Sequence, residues 1–380
     1  MARRAAIVAV AQTSFERDKW YQRMQGMAWE VVKPMIDSTG LDFSEERGIG
    51  QVVTTSDDIF DARTISDNAM TDVIGAHYRC EEKVSQDGAQ AVYYALASVL
   101  SGHQDLVMVV GHCKESQAKS RNMVTHLVFD PFFTRPVGLD HLAAEGIQAR
   151  AYMDASGVSA EQLAQLVVRS RKNAQLNPSI KDLPEVNVEQ VLQSPMLADP
   201  IRELMTYPVS DGAIGLIIAA EERVPEITDK PVWISGVGNC MDSFFLGERD
   251  LVGCFQLGKA AQKAYSMAGV SDPLSQVDLF EISDRHAYML PQWAEGLGLC
   301  PQGAAAWLAA GGPDALNVNL SGGLLAGQPM ILGGLARVAE CTLQLRGEAG
   351  QRQVADAKRA VAHGITGPAG QMQTVVVLEG

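Results

Sequence analysis

The chain has 380 residues, of which 47% are hydrophobic and 20% charged, and it carries a formal net charge of −14. That length allows a large core built as two similar halves, and that balance fits a soluble globular protein. The charge argues against non-specific binding to nucleic acid or to an anionic membrane. The six cysteines (80, 113, 240, 254, 300 and 341) form no CxxC or metal-type spacing, and the seven histidines are scattered. Reduced thiols and no metal site are therefore expected. No apolar run approaches the roughly 18 residues that span a bilayer, so a cytoplasmic, non-membrane location is expected.

Ala5–Ala11 reads as a first core strand, because its apolar run is at the shortest end for a signal peptide. Met27–Gly40 is amphipathic, with Ala28, Val31, Val32, Met35 and Ile36 at helical spacing and Gly40 as its stop. Gly50–Thr55 is a second strand, and Lys83-Val84 a short strand candidate. Ser85-Gln86-Asp87-Gly88 supplies small polar residues suited to a helix N-terminus. The helix continues through Val92, Leu96, Val99 and Leu100, closes at Gly102, and is followed by a buried strand over Asp105–Val110. A helix N-terminus inside a core offers unpaired N–H groups and partial positive charge, which suits acyl chemistry. An ordinary buried αβ unit is the plainer reading of the same residues. Ser85 is either a helix cap or a nucleophile, and Cys80 stands in a charged, strand-edge context.

The region 112–207 has another character, rich in Pro and aromatic loop residues around helices near Asp140–Gly157 and Ala160–Asn173, the second capped by Ser159. Strands follow over Asp211–Ala220, Val232–Val237 and Val277–Ile282, helices over Gly258–Ala268 and Gly334–Leu345, and a closing strand over Thr374–Leu378. The loop Ser283-Asp284-Arg285-His286-Ala287-Tyr288 concentrates titratable groups just after a buried strand, where α/β proteins tend to build sites. Within it, Glu281 and Asp284 can orient His286 or Arg285, or cap a turn.

Several of these stretches together resemble the thiolase superfamily, and lean toward its sterol-carrier-protein type. Ser85–Gly88 stands at C-[AS]-S-G, and Ser101–Gly111 (SGHQDLVMVVG) resembles G-x-x-D-x-x-x-x-G-G. Glu115-Ser116 matches E-S-M, Val209–Ala213 resembles V-N-D-G-A, and Asp278–Glu281 resembles D-L-V-E. Asn319–Gly323 with Gly327-Gln328-Pro329 resembles N-P-S-G-G…G-H-P, and His363–Gly367 sits where the last active-site loop belongs. The resemblance implies an α/β, five-layer αβαβα fold of two similar halves with mixed sheets plus a covering loop domain. Its parts would be 1–118, the first part of the N-terminal half; 119–207, the inserted loop domain; and 208–380, the C-terminal half. Phe129, Phe132, Phe133 and Met123 of the covering segment, with His126, would then face the acyl group.

The departures bear on the chemistry. Ser85 stands at the acyl-accepting Cys, Ser283 at an Asn or His, Gln328 at the His of G-H-P, and Gly364 at a second Cys. A hydroxyl needs a paired base to become a nucleophile, and no His stands at 328, so ordinary thiolysis is not expected. The loop also resembles that of thiolase-like aldolases that cleave steroid side chains: Tyr288 falls on the tyrosine of D-C-F-T-Y, which that family uses for proton transfer. Retro-aldol cleavage of a β-hydroxyacyl-CoA needs a base for the hydroxyl and donors for the enolate. Tyr288 and His286 are candidates for base or relay, Gln328 and backbone N–H groups near Gly364 for enolate donors, and His363 for proton donor to carbon. His126, Asp284, Ser283 and Gly364 are candidates for substrate contact. The expected reading is thus an enzyme acting on acyl-CoA, a carbon–carbon lyase or an acyltransferase, with a non-catalytic CoA-binding subunit as the third alternative. No cofactor is expected beyond coenzyme A within the substrate. The resemblance also implies a homodimer and a small OB-fold, zinc-ribbon partner subunit.

Overall fold

The computed structural model describes residues 3–44, 47–58, 60, 65–118 and 120–380. The first half runs β1 (Ala5–Gln12), α1 (Met24–Thr39), β2 (Gln51–Thr55), β3 (Cys80–Lys83), α2 (Gly88–Leu100) and β4 (Leu106–Lys114). The covering segment then supplies α3 (Arg121–His126), α4 (His141–Ser156), α5 (Ala160–Ala174), α6 (Val188–Gln193), β5 (Met196–Ala198) and β6 (Ile201–Arg202). β7 (Asp211–Ala220) returns to the first half. The second half runs β8 (Val232–Met241), α7 (Phe255–Ala268), α8 (Pro273–Gln276), β9 (Leu279–Glu281), α9 (Met289–Gly296), α10 (Ala304–Ala309), α11 (Gly312–Ala315), α12 (Gly333–Arg346), β10 (Arg359–Thr366) and β11 (Met372–Glu379).

The large strands form one mixed sheet in the order β3-β2-β4-β7-β1-β8-β11-β10-β9. The two expected sheets are therefore hydrogen-bonded to each other, through Ala6 opposite Trp233 and Ile7 opposite Val232. The layers follow from strand alternation, since successive side chains point to opposite faces. In β4, Leu106, Met108 and Val110 pack with Met27, Val31 and Met35 of α1, in one outer core. Val107 and Val109 face a middle core shared with Val92 and Leu96 of α2, Leu335 and Val338 of α12, and Ala360 and Ala362 of β10. Val361, Val375 and Val377 face the other way, onto Leu257, Ala260 and Ala264 of α7. Two sheet halves, two outer helices and a shared helical middle make the five layers. Because α12 is covered on both sides, it is buried almost all round, from Gly333 to Thr342, as a central helix must be.

Element limits differ from the sequence expectation where pairing extends them. β4 runs on past Gly111 because His112, Cys113 and Lys114 find partners in Ala213, Gly212 and Asp211 of β7. Residues 363–366 belong to β10, paired with 372–375 of β11, rather than to a loop. Among the described residues, no helix is long and apolar enough to cross a membrane.

Candidate active site

Segments of both halves and of the covering region meet at one cavity of about 220 Å³: the stretch after β2, the approach to α2, α3 with the turn after it, the start of α4, the loop after β9, the turn before α12 and the end of β10. Its apolar wall includes Val124, Val128, Met330, Ile331 and Ile365, and its polar wall includes Ser85, Asp87, His141, Arg285 and Thr366. None of the described residues that line it is a cysteine. An apolar pocket with a few convergent polar groups is the usual form of a small-ligand site.

Ser85 lines this cavity, but it is not the cap of α2. That role belongs to Asp87, whose carboxylate accepts from the Ala89 N–H at 3.0 Å and from the Gly334 N–H at 3.0 Å. The Asp87 N–H in turn donates to Thr366 Oγ1 at 3.0 Å. Asp87 thus ties α2 to α12 through its carboxylate and to β10 through its backbone N–H, across the two halves. Burial pushes its pKa up, against the nearby charge of Arg337 and the two N–H donors. This arrangement explains Gly364 better than a substrate contact does. A Cβ at 364 would lie 2.1 Å from Asp87 Oδ1 and 2.7 Å from Ala89 Cβ, so a cysteine has no room there while Asp87 caps the helix.

Arg285 is the guanidinium of the described lining, and it is held from behind by one face of α4. His141, Glu145 and Gln148 stand at i, i+4 and i+7, the spacing that stacks side chains on one helix face. Arg285 Nη1 donates to Glu145 Oε1 at 2.8 Å and to His141 Nδ1 at 3.1 Å. A guanidinium only donates, so His141 accepts at Nδ1 and, when neutral, carries its proton on Nε2. The second Glu145 oxygen lies 2.5 Å from His286 Nε2, and His286 Nδ1 lies 3.2 Å from Thr206 Oγ1. Burial works against the Glu145 charge, but Arg285 and His286 outweigh it and hold the carboxyl well below its usual range. Burial likewise opposes the charge of His286, and there it prevails over Glu145, leaving the imidazole pKa below its ordinary value. Tyr288 donates to Gln148 Oε1 at 2.8 Å and is fully enclosed, which raises its pKa well above that of a free phenol.

Ser283, Asp284 and His363 surround a second buried cation, Arg337 of α12, outside the described cavity lining. Arg337 donates to the His363 carbonyl at 2.9 Å and approaches Ser283 Oγ at 3.4 Å. His363 accepts from the Ser283 N–H at Nδ1 (3.3 Å) and contacts Gln373 Oε1 through Nε2 at 2.6 Å. Both ring nitrogens are thus used, and burial pushes its pKa down to about 3. A neutral, fully engaged imidazole in a strand is an anchor for the β9–β10 junction, not an acid facing the cavity. Gln328 donates to Ser321 Oγ at 3.0 Å, and Ser321 is fixed by Glu281 at 2.6 Å. Asp284 accepts from the Leu324 N–H at 2.7 Å, and burial pushes its carboxyl up to about 6. His126 is tied to the Leu139 carbonyl at 2.8 Å.

Of the nine predicted site residues, Ser85 alone belongs to the described lining. His286 stands one step behind Arg285 through Glu145, Tyr288 bonds Gln148 on the same face of α4, His363 and Gly364 lie in β10, and the others hold loops or, as His126, α3. The acyl-facing wall expected from Phe129, Phe132, Phe133 and Met123 is also differently built. Phe132, Phe133 and Met123 face solvent at 80%, 74% and 74% exposure, and Phe129 packs edge-on against His141. The inner face of that segment is Val124, Thr125 and Val128. Cys80, in β3, lies outside the lining as well. Sequence reasoning missed His141, Glu145 and Asp87 as site residues. The polar i, i+4, i+7 face of α4 was the available signal for the first two.

A family model described as "Thiolase C-terminal domain-like" matches residues 239–379. The chain is 29% identical to an acetyl-CoA acetyltransferase from Methanothermobacter thermautotrophicus, over 97% of each chain. It is 32% identical to sterol carrier protein 2 from Rattus norvegicus over 231 residues, covering 58% of this chain and 42% of that protein. The solved "Ltp2-ChsH2(DUF35) aldolase" superposes with a TM-score of 0.82 at 22% identity, over 99% of this chain and 97% of that one. With the layered halves and the cavity at their junction, these likenesses place the chain in one family: it belongs to the thiolase superfamily.

Proposed function

We propose that the chain cleaves β-hydroxyacyl-CoA thioesters by a retro-aldol reaction, without an acyl-enzyme. The observation that carries this reading is the cavity itself: a thiolase-type convergence of loops whose described lining offers a cation and an imidazole, but no cysteine. In the reaction the Cα–Cβ bond breaks, the β-hydroxyl loses its proton and becomes a carbonyl, and the electron pair passes to the thioester as an enolate. Arg285 and the His141 Nε2–H are the groups suited to the enolate oxygen, because such donors stabilise charge that develops in the transition state. Asp87, its carboxyl raised by burial, is the basic group suited to take the hydroxyl proton and to return it to the enolate carbon, which completes the shortened acyl-CoA. His286 enters as a positioning residue, acting on Arg285 through Glu145, and Tyr288 steadies the same face of α4 through Gln148.

Asp87→Asn tests this assignment: the asparagine Oδ1 still caps α2, but its amide nitrogen cannot accept the Gly334 N–H, so activity is compared per folded molecule. The fold should persist while cleavage of a β-hydroxyacyl-CoA falls by roughly 10²–10⁴-fold, the range for a lost general base. Cleavage at the wild-type rate in a folded D87N protein would remove Asp87 from the mechanism.

Ser85 on the cavity wall favours a second reading, an acyl transfer through that hydroxyl, in keeping with the acetyltransferase relatives. A partner subunit is a further part of the proposal, supported by the two-component name of the aldolase likeness. A small OB-fold, zinc-ribbon protein that co-purifies with the chain and raises its turnover would fit it, as would a homodimer of this chain at the centre.

A further inference from the structure

A groove of about 440 Å³ that shares no described lining residue with the cavity lies between the segment after β1, the end of α5 and the approach to β7. Its lining includes Arg17, Arg121, Arg171, Lys181, Ser210 and Gly327, with the carboxylates Glu16, Asp182 and Glu203 also present. Arg121 is already met by Glu115 at 2.5 Å, and Glu16 is held by Ser14 at 2.7 Å and Tyr21 at 2.9 Å. Arg171 is different. It is 5% exposed, its Nε has no hydrogen-bond partner, and burial alone acts on its charge, pushing its pKa down.

A buried guanidinium without a counterion is costly, and proteins rarely leave one so. Two further donors in the same lining are also unmet: Arg121 Nη2, and the Oγ of Ser210, a residue that is 2% exposed. Three unmet donors on residues lining one groove, two of them on planar guanidinium forks, suit an acceptor-rich group such as phosphate. We infer that this groove binds a phosphate-class anion, with Arg171 as its principal partner and Arg121 and Ser210 as supporting donors. The anion is either free inorganic phosphate or a phosphate carried by a nucleotide ligand such as coenzyme A. The inference stands apart from the retro-aldol reading, since neither the groove nor its donors belong to the cavity.

The test uses the full chain in phosphate-free buffer, followed by thermal melting and calorimetry with inorganic phosphate, coenzyme A and phosphate-free pantetheine. Phosphate and coenzyme A should raise the wild-type midpoint, and pantetheine should not. Arg171→Met should lose that rise, with affinity for inorganic phosphate down roughly tenfold or more, the size expected for a lost charged hydrogen bond. Its ligand-free midpoint should equal or exceed that of the wild type, because an uncompensated charge has gone. Coenzyme A displacing phosphate at far lower concentration identifies the nucleotide as the source, and equal affinities identify free phosphate. Should Arg171→Met not fold, Ser210→Ala carries the test, with weaker phosphate binding at an unchanged ligand-free midpoint. No phosphate effect on the wild type, or an equal effect in both variants, would overturn the inference.

Discussion

Glu145→Gln is expected to cost about 3–5 kcal/mol of folding free energy, the range for breaking a buried ion pair from one side. The reason is local. Glu145 is 1% exposed and is the partner of both Arg285 and His286, and glutamine would leave Arg285 charged, enclosed and without a carboxylate. Urea melts of the two proteins measure the difference. The double variant Glu145→Gln/Arg285→Met should recover part of the loss, because it removes the stranded charge as well. A pH dependence follows with a definite sign. The folded pKa of Glu145 is depressed, so the unfolded chain binds its proton first as pH falls. The stabilisation is complete above the unfolded value near 4.3 and disappears as pH drops toward the lower folded value. Wild-type stability should therefore fall more steeply below about pH 4 than that of Glu145→Gln. Superimposable pH profiles would show that the carboxylate is not paired as described.

Arg285→Met should lower kcat for β-hydroxyacyl-CoA cleavage by roughly 10²–10³-fold, the usual effect of removing one donor to a developing oxyanion. KM should move far less, because the enolate charge exists in the transition state and not in the bound substrate. Activity is compared per folded molecule, since the change also alters the surroundings of Glu145. Arg285→Lys should restore part of kcat, as a single charge without the fork that bridges Glu145 and His141. A rise in KM at constant kcat would make Arg285 a binding group only.

Much of the fold was legible because the sequence signals were local. The apolar spacing 27, 28, 31, 32 and 35 in α1 and the alternation in β4 are direct readouts of which faces are covered. The site was less legible, because it is assembled from residues distant in sequence. Resemblance pointed to the loop after β9 and ranked Tyr288 and His286 above Arg285, the member of that loop on the cavity wall. What decides between them is the packing of α4, some 140 residues earlier. Ser85 and Asp87 show the same limit at short range. Both are good capping residues, and the choice of Asp87 depends on glycines at 334 and 364 that leave it space. His363 lay in a stretch expected to be a loop, and its pairing within β10 with Val375 of β11 turned a candidate acid into a buried anchor.

The central claim is that carbon–carbon cleavage here proceeds without covalent capture of the acyl group. It is tested by supplying a panel of β-hydroxyacyl-CoA thioesters, with no free coenzyme A, while following products and the intact mass of the chain. The account predicts a carbonyl compound and a shortened acyl-CoA in equal amounts, with the protein mass unchanged throughout turnover. An acyl adduct on Ser85, or turnover that begins only when coenzyme A is added, would contradict it.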